Sequence, residues 1–152
     1  MEKYILNNIH QLYKSHIVTL ILVLLLGCLT LLVVVGAIKF NLIKQPIWKF
    51  ALLTATIVAV VAILLIQINS LIPVYKDYKE LSFVVVEDAS LTIKTEASGA
   101  IDRINTVIVD DGSGKTFELK MQSDLSLSWG CKYTGTIAYT INSGYVVWYS
   151  FN

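Results

Sequence analysis

A glycine-rich turn that runs into a lysine and a hydroxyl can grip phosphate and its magnesium ion, and Gly112-Ser113-Gly114-Lys115-Thr116 has that order. The complete phosphate-binding loop also needs a glycine where Val109 stands and a helix after it, whereas Thr116 to Met121 alternate apolar and polar residues as a strand does. These residues therefore predict a hairpin turn and no nucleotide site. His10 and His16 fall on different faces of any helix and make a poor pair of metal ligands. The doublets Glu87-Asp88 and Asp110-Asp111 lack the further oxygen ligands of a calcium loop and read as solvated turn residues. No histidine follows His16, and no serine or cysteine sits in a nucleophile motif, which excludes a histidine-dependent hydrolase from the C-terminal half. The expectation is a protein that is not an enzyme, with no catalytic residue, no cofactor and no metal.

Aromatic residues are the other chemistry on offer. Tyr133, Tyr139, Tyr145, Trp148, Tyr149 and Phe151 crowd the end of the sequence, with Trp129 just before them. One reading is a core of large side chains with cross-strand aromatic pairs. The other is a binding surface: Tyr145, Tyr149 and Phe151 would share one strand face and Trp148 the opposite one, so one set would be exposed to a protein partner or to the bilayer interface. Tyr145, Trp148, Tyr149 and Phe151 are the candidate surface.

The elements that must carry these residues divide the chain in two. It is 55% hydrophobic and 15% charged, with a mean hydropathy of +0.66, against about 45 to 50% apolar and about 25% charged for a soluble domain. Nearly all the apolar excess lies before Pro73 and most of the acids lie after it. Residues 17–38 contain no charge, and as a helix they would extend roughly 33 Å, enough to cross a hydrocarbon core of about 30 Å. Residues 50–72 form a second such run, and Pro73 is expected to stop it. The stretch 39–49 is short enough to be only a turn, which makes an antiparallel transmembrane hairpin. Ala51, Ala55 and Ala59 recur every four residues, a small-xxx-small stripe expected to pack on the first helix or on a second copy.

Two readings stand for residues 1–16. Ile5, Ile9, Leu12 and Tyr13 share one face at helical spacing, with Asn7, Asn8, Gln11 and Lys14 opposite, as in a helix lying on the membrane surface. A flexible tail is the other, because so short a helix is marginal alone. Residues 73–80 read as a polar connector. Residues 81–152 read as a small β-rich domain with strands at 81–87, 91–96, 103–109, 116–121, 133–141 and 145–151, separated by the turns Asp110 to Gly114 and Asn142-Ser143-Gly144. Six short antiparallel strands predict a small barrel-like domain of the OB or SH3 kind, so the fold class is an α+β membrane protein.

Charge narrows the partners. The net charge is +1, and the eleven lysines and one arginine form no basic stripe, so nucleic acid is not an expected partner. Lys39, Lys44 and Lys49 lie in the loop, while Lys3, Lys14, Lys76 and Lys79 lie in the two tails. Four against three is a narrow margin, and the lysine density of the loop argues for the loop inside, although Lys39 and Lys49 at the span ends can snorkel on either face. The expectation taken is a multi-pass protein of the cell membrane with its tails and β-domain in the cytoplasm. Cys28 and Cys131 are too few and too differently placed for a disulfide framework. Leu25-Leu26-Gly27-Cys28 resembles the lipobox at which bacterial lipoprotein precursors are cut, but Leu29 to Ile38 stay apolar where a lipoprotein turns polar, and the run exceeds the roughly 7 to 15 apolar residues of a signal peptide. An uncleaved anchor is expected.

The order of two spans, polar connector and an ending VIVDDGSGKTFEL then KYTGTIAYTINSGYVVWYSF resembles small, mostly uncharacterised membrane proteins of Gram-positive bacteria and their prophages. That resemblance implies a bacterial cell membrane and no particular activity. The architecture is also similar to two-span effectors of antiphage signalling, whose C-terminal barrel binds a cyclic nucleotide and whose helices disrupt the membrane. The β-region here is short for that barrel and has no evident basic pocket. Two expectations follow: a membrane-anchored accessory or binding module, with an immunity-type role within its range, and a ligand-gated membrane-disrupting effector. The partners would be the lipid bilayer and either another protein or a second copy.

Overall fold

A computed structural model describes residues 1–40, 45–95, 104–122, 127 and 130–151; Lys44 of the expected loop, Glu96 and Arg103 of the expected strands, and Trp129 lie outside the described residues. Two long helices, α1 (Glu2–Lys39) and α2 (Pro46–Glu80), precede five strands: β1 (Phe83–Thr95), β2 (Ile104–Asp110), β3 (Thr116–Gln122), β4 (Lys132–Thr140) and β5 (Val146–Phe151). The chain forms two compact units, one of residues 13–72 and one of residues 1–12 with 73–152.

The unit of residues 13–72 is helical where described except at Phe40 and Gln45, and both helices are long and apolar enough to cross a membrane. Three of its hydroxyls turn inward on their own helices: Thr30 donates to the Gly27 carbonyl, Thr56 to Leu52 and Ser70 to Gln67, each at 2.8 Å. This back-bonding satisfies a polar group without water. The close approach between the helices is at Gly27, where an added Cβ would stand 2.9 Å from Val60 Cγ1.

α2 does not stop at Pro73 as the sequence suggests; the residues expected to be a connector are its last two turns. A proline inside a helix costs about 3 kcal/mol, because it lacks an N–H and crowds the preceding turn. The buried side chains of Val74 and Asp77 on the far side of the proline offset it. The helix ends with Leu81 in the left-handed region (φ 50°) and the Ser82 N–H bonded to the Asp77 carbonyl at 3.1 Å, a Schellman cap without its usual glycine.

In the second unit the apolar face of α1's first turns is buried, with Ile5, Ile9 and Leu12 at its centre. This corrects the surface-helix reading of residues 1–16. The segment is helical, but its apolar side is taken up by the protein and is not free for lipid. Asn8 Nδ2 donates to the Val147 carbonyl of β5 at 2.6 Å, and the rings of His10 and Tyr78 lie 5.5 Å apart.

The sheet is antiparallel throughout, in the order β3-β2-β1-β4-β5. The two strands expected at 81–87 and 91–96 are one. Glu87 and Asp88 break the alternation and so read as a turn, but they form a bulge: from Val86 to Ala89 the register against β4 gains one residue, and Asp88 adopts φ 54°. The extra residue resets the phase, so Val86 before it and Ala89, Leu91 and Ile93 after it all join the core. Val107, Val109, Leu119, Met121 and Ile137 complete that core, with Phe117, Tyr133, Tyr139, Tyr149 and Phe151 packed on it. With five strands in place of six the sheet is open: among the described residues one isolated bridge, between Lys120 of β3 and Tyr145 just before β5, and no ladder joins the two edges.

Candidate functional site

The most elaborately built polar site lies where α2 meets the turn between β4 and β5. Asp77 is fully buried, and each carboxylate oxygen accepts two hydrogen bonds. Oδ1 takes the Asn142 amide (2.8 Å) and Asn142 Nδ2 (2.7 Å), while Oδ2 takes the Ser143 amide (2.8 Å) and Ser143 Oγ (2.5 Å). The single Ser143 hydroxyl proton is thereby used, so the Thr140 hydroxyl, 2.8 Å from Ser143 Oγ, is the donor of that pair. The Tyr145 amide in turn donates to Thr140 Oγ1 at 2.9 Å. A carboxylate withdrawn from water needs this many donors, since an unpaired buried charge costs several kcal/mol. Every buried polar side-chain atom among the described residues has a partner.

The bonds of this site join the end of α2 to the turn. Both Asp77 oxygens are saturated by neutral donors, and an ion pair, Lys94–Glu118, lies apart from the site on the exposed surface. Also among the described residues, no three of the His, Cys, Asp and Glu side chains gather where they could hold a metal ion. Cys28 and Cys131 are exposed free thiols.

Residues 110–116 form the expected hairpin. Asp111 Oδ1 accepts the Ser113 amide (2.9 Å), the Ser113 hydroxyl (2.6 Å) and the Lys115 amide (3.3 Å), and the Gly112 amide donates to Asp110 Oδ1 at 3.0 Å. The Ser113 hydroxyl and amide hold the Asp111 carboxyl below the usual carboxylate range, against a small opposing effect of burial and with help from the Lys115 amide and charge. Gly112 and Gly114 supply the left-handed conformations, φ 77° and 86°. Lys115 and Thr116 lead into β3, so no helix end is present to bind phosphate.

The aromatic residues are not gathered on one exposed surface. Tyr145 is buried, its backbone bonded to Thr140 and its ring 5.4 Å beneath the Lys120 ammonium, which removes it from the candidate binding surface. Tyr149 and Phe151 stack at 4.8 Å and, with Tyr133 5.4 Å from Phe151, pack against the core. Trp148 is half-buried. Ala51, Ala55 and Ala59 are all exposed. Asp77, the centre of the site, falls in the stretch expected to be a polar connector; its only local signal is its place one turn after Val74. Comparison of the chain with protein-family models, curated proteins and solved structures gives no match in any of the three.

Proposed function

We propose that the chain is a membrane-anchored, non-enzymatic accessory or binding module of a bacterial cell membrane, in which α1 and α2 cross the bilayer as a hairpin and the sheet meets a protein partner at its surface. The observation that carries this reading is the state of the apolar side chains in residues 13–72. Leu25, Leu32, Val58 and Ile66 are each about three-fifths exposed or more (62%, 69%, 61% and 65%), although helices of this composition in a soluble protein would be covered by its core. Lipid is the solvent in which that exposure is favourable. The saturated hydrogen bonding of Asp77 supports a structural use of the buried carboxylate over a catalytic one. An immunity-type role fits within this reading.

The proposed orientation has both tails and the sheet in the cytoplasm. Its test uses Cys131, an exposed thiol, in a Cys28→Ser background. An impermeant maleimide should label permeabilised cells and leave intact cells unlabelled; labelling of intact cells reverses the orientation. Insertion itself is tested by alkaline carbonate extraction, after which the chain should stay with the membrane pellet.

A second reading, a ligand-gated membrane-disrupting effector, is supported by the exposed Ala51, Ala55 and Ala59, a face on which copies of α2 could meet. Overproduction with a potential-sensitive dye separates the two. The accessory reading expects an unchanged membrane potential, and the effector reading its collapse.

A further inference from the structure

The Asp77 network and the seam of the open sheet share one turn. Asp77 fixes the amides of Asn142 and Ser143, both at 2.8 Å. The next residue, Gly144, gives its carbonyl to the Lys120 amide at 2.7 Å, and this bond belongs to the one bridge that joins the two edges of the sheet among the described residues. Between the two contacts the turn is bound back on itself: the Gly144 amide donates to the Thr140 carbonyl at 3.1 Å, the Thr140 amide donates to the Tyr145 carbonyl at 2.9 Å, and the Tyr145 amide donates to the Thr140 hydroxyl oxygen at 2.9 Å. With so few free dihedrals left, Asn142 and Ser143 cannot swing away from Asp77 while the Gly144 carbonyl keeps its aim at Lys120. The positive φ of Gly144 (67°) sets that aim.

We propose that this turn is a two-ended latch, in which seating of Asp77 and closure of the seam between β3 and β5 are one coupled event. Whatever draws the last turns of α2 off the turn opens the edge of the sheet next to the core residues Leu119 and Met121. Whatever opens that edge releases Asp77, because coupling of this kind acts equally in both directions. The latch lies within a single compact unit and is independent of where the apolar helices reside.

Amide hydrogen exchange on the full-length chain in detergent, read residue by residue, tests it from both ends. Asp77→Asn should speed exchange of the distant Lys120 amide by roughly tenfold or more while the β1 and β2 amides of Leu91 and Val107 keep their protection. Lys120→Pro deletes the seam bond on an edge strand, where proline is tolerated, and should speed exchange of the Asn142 and Ser143 amides by a similar factor. A Lys120 amide unmoved by Asp77→Asn overturns the latch. So does a uniform rise over β1 and β2, which would make Asp77 an ordinary stability element. Should Asp77→Asn fail to fold, Lys120→Pro decides alone: unchanged exchange at Asn142 and Ser143 overturns the proposal.

Discussion

Two hairpin turns in this sheet are each organised by an aspartate that gathers turn amides, and they differ in where the aspartate comes from. In the turn between β2 and β3, Asp111 binds Ser113 and Lys115, its own neighbours, on an exposed surface. In the turn between β4 and β5, Asp77 reaches Asn142 and Ser143 from a helix 65 and 66 residues earlier and is fully buried. A local carboxylate shapes a turn that would form in any case. An imported one makes the turn conditional on the packing of α2, and so converts turn chemistry into tertiary structure.

The comparison predicts a ranking of mutational effects. Asp77→Ala strands four donors at once, the two of Ser143 buried, and should lower the stability of the sheet unit by about 3 kcal/mol or more, measured by chemical denaturation followed by near-ultraviolet circular dichroism. A loss as small as that of a surface substitution would erase the distinction between the two turns. Ser143→Ala removes one donor to Asp77 and the acceptor of the Thr140 hydroxyl, and should cost about 1 to 2 kcal/mol in the same measurement. In the exposed turn, Gly112→Ala meets only the Asp88 carbonyl oxygen at 3.6 Å, an ordinary contact, so the strain of φ 77° alone should cost about 1 kcal/mol. Asp111→Asn should have the smallest effect of the four.

That last variant sharpens the comparison through pH. The Asp111 carboxyl is lowered in the folded chain by Ser113, so its contribution is complete above the unfolded carboxyl's ordinary range and fades as pH falls through the lowered folded value. The difference in Tm between the parent and Asp111→Asn should therefore be constant near neutrality and shrink in acid. A difference that persists unchanged in acid would show that the aspartate's charge does not contribute.

Sequence reading succeeded where the signal is local. The uncharged runs 17–38 and 50–72 lie within helices because composition and length suffice, and the alternation of Phe117, Leu119 and Met121 marks β3 without reference to any partner. It failed where a distant contact overrides a local cue. Pro73 is a helix breaker by every local rule, and only the packing of Val74 and Asp77 carries α2 past it. Glu87-Asp88 has turn composition, yet β4 on the other side of β1 continues through and makes it a bulge. Tyr145 follows a turn and looked like an exposed aromatic, but Lys120 and Thr140 cover it from β3 and β4. The candidate site was invisible for the same reason, since nothing in the spacing of Asp77 and Asn142 couples them. The stripe of Ala51, Ala55 and Ala59 has the right spacing for close packing, whereas the approach seen between the helices uses Gly27.

The bond from Asn8 to the Val147 carbonyl joins residues 139 positions apart. A ribosome makes Asn8 that many residues before Val147, so the Asn8 side chain waits as long for its acceptor. The apolar runs between them emerge in the meantime. Both apolar helices are thus complete before this contact can close, and a chain cut short before Val147 would leave Asn8 without that acceptor.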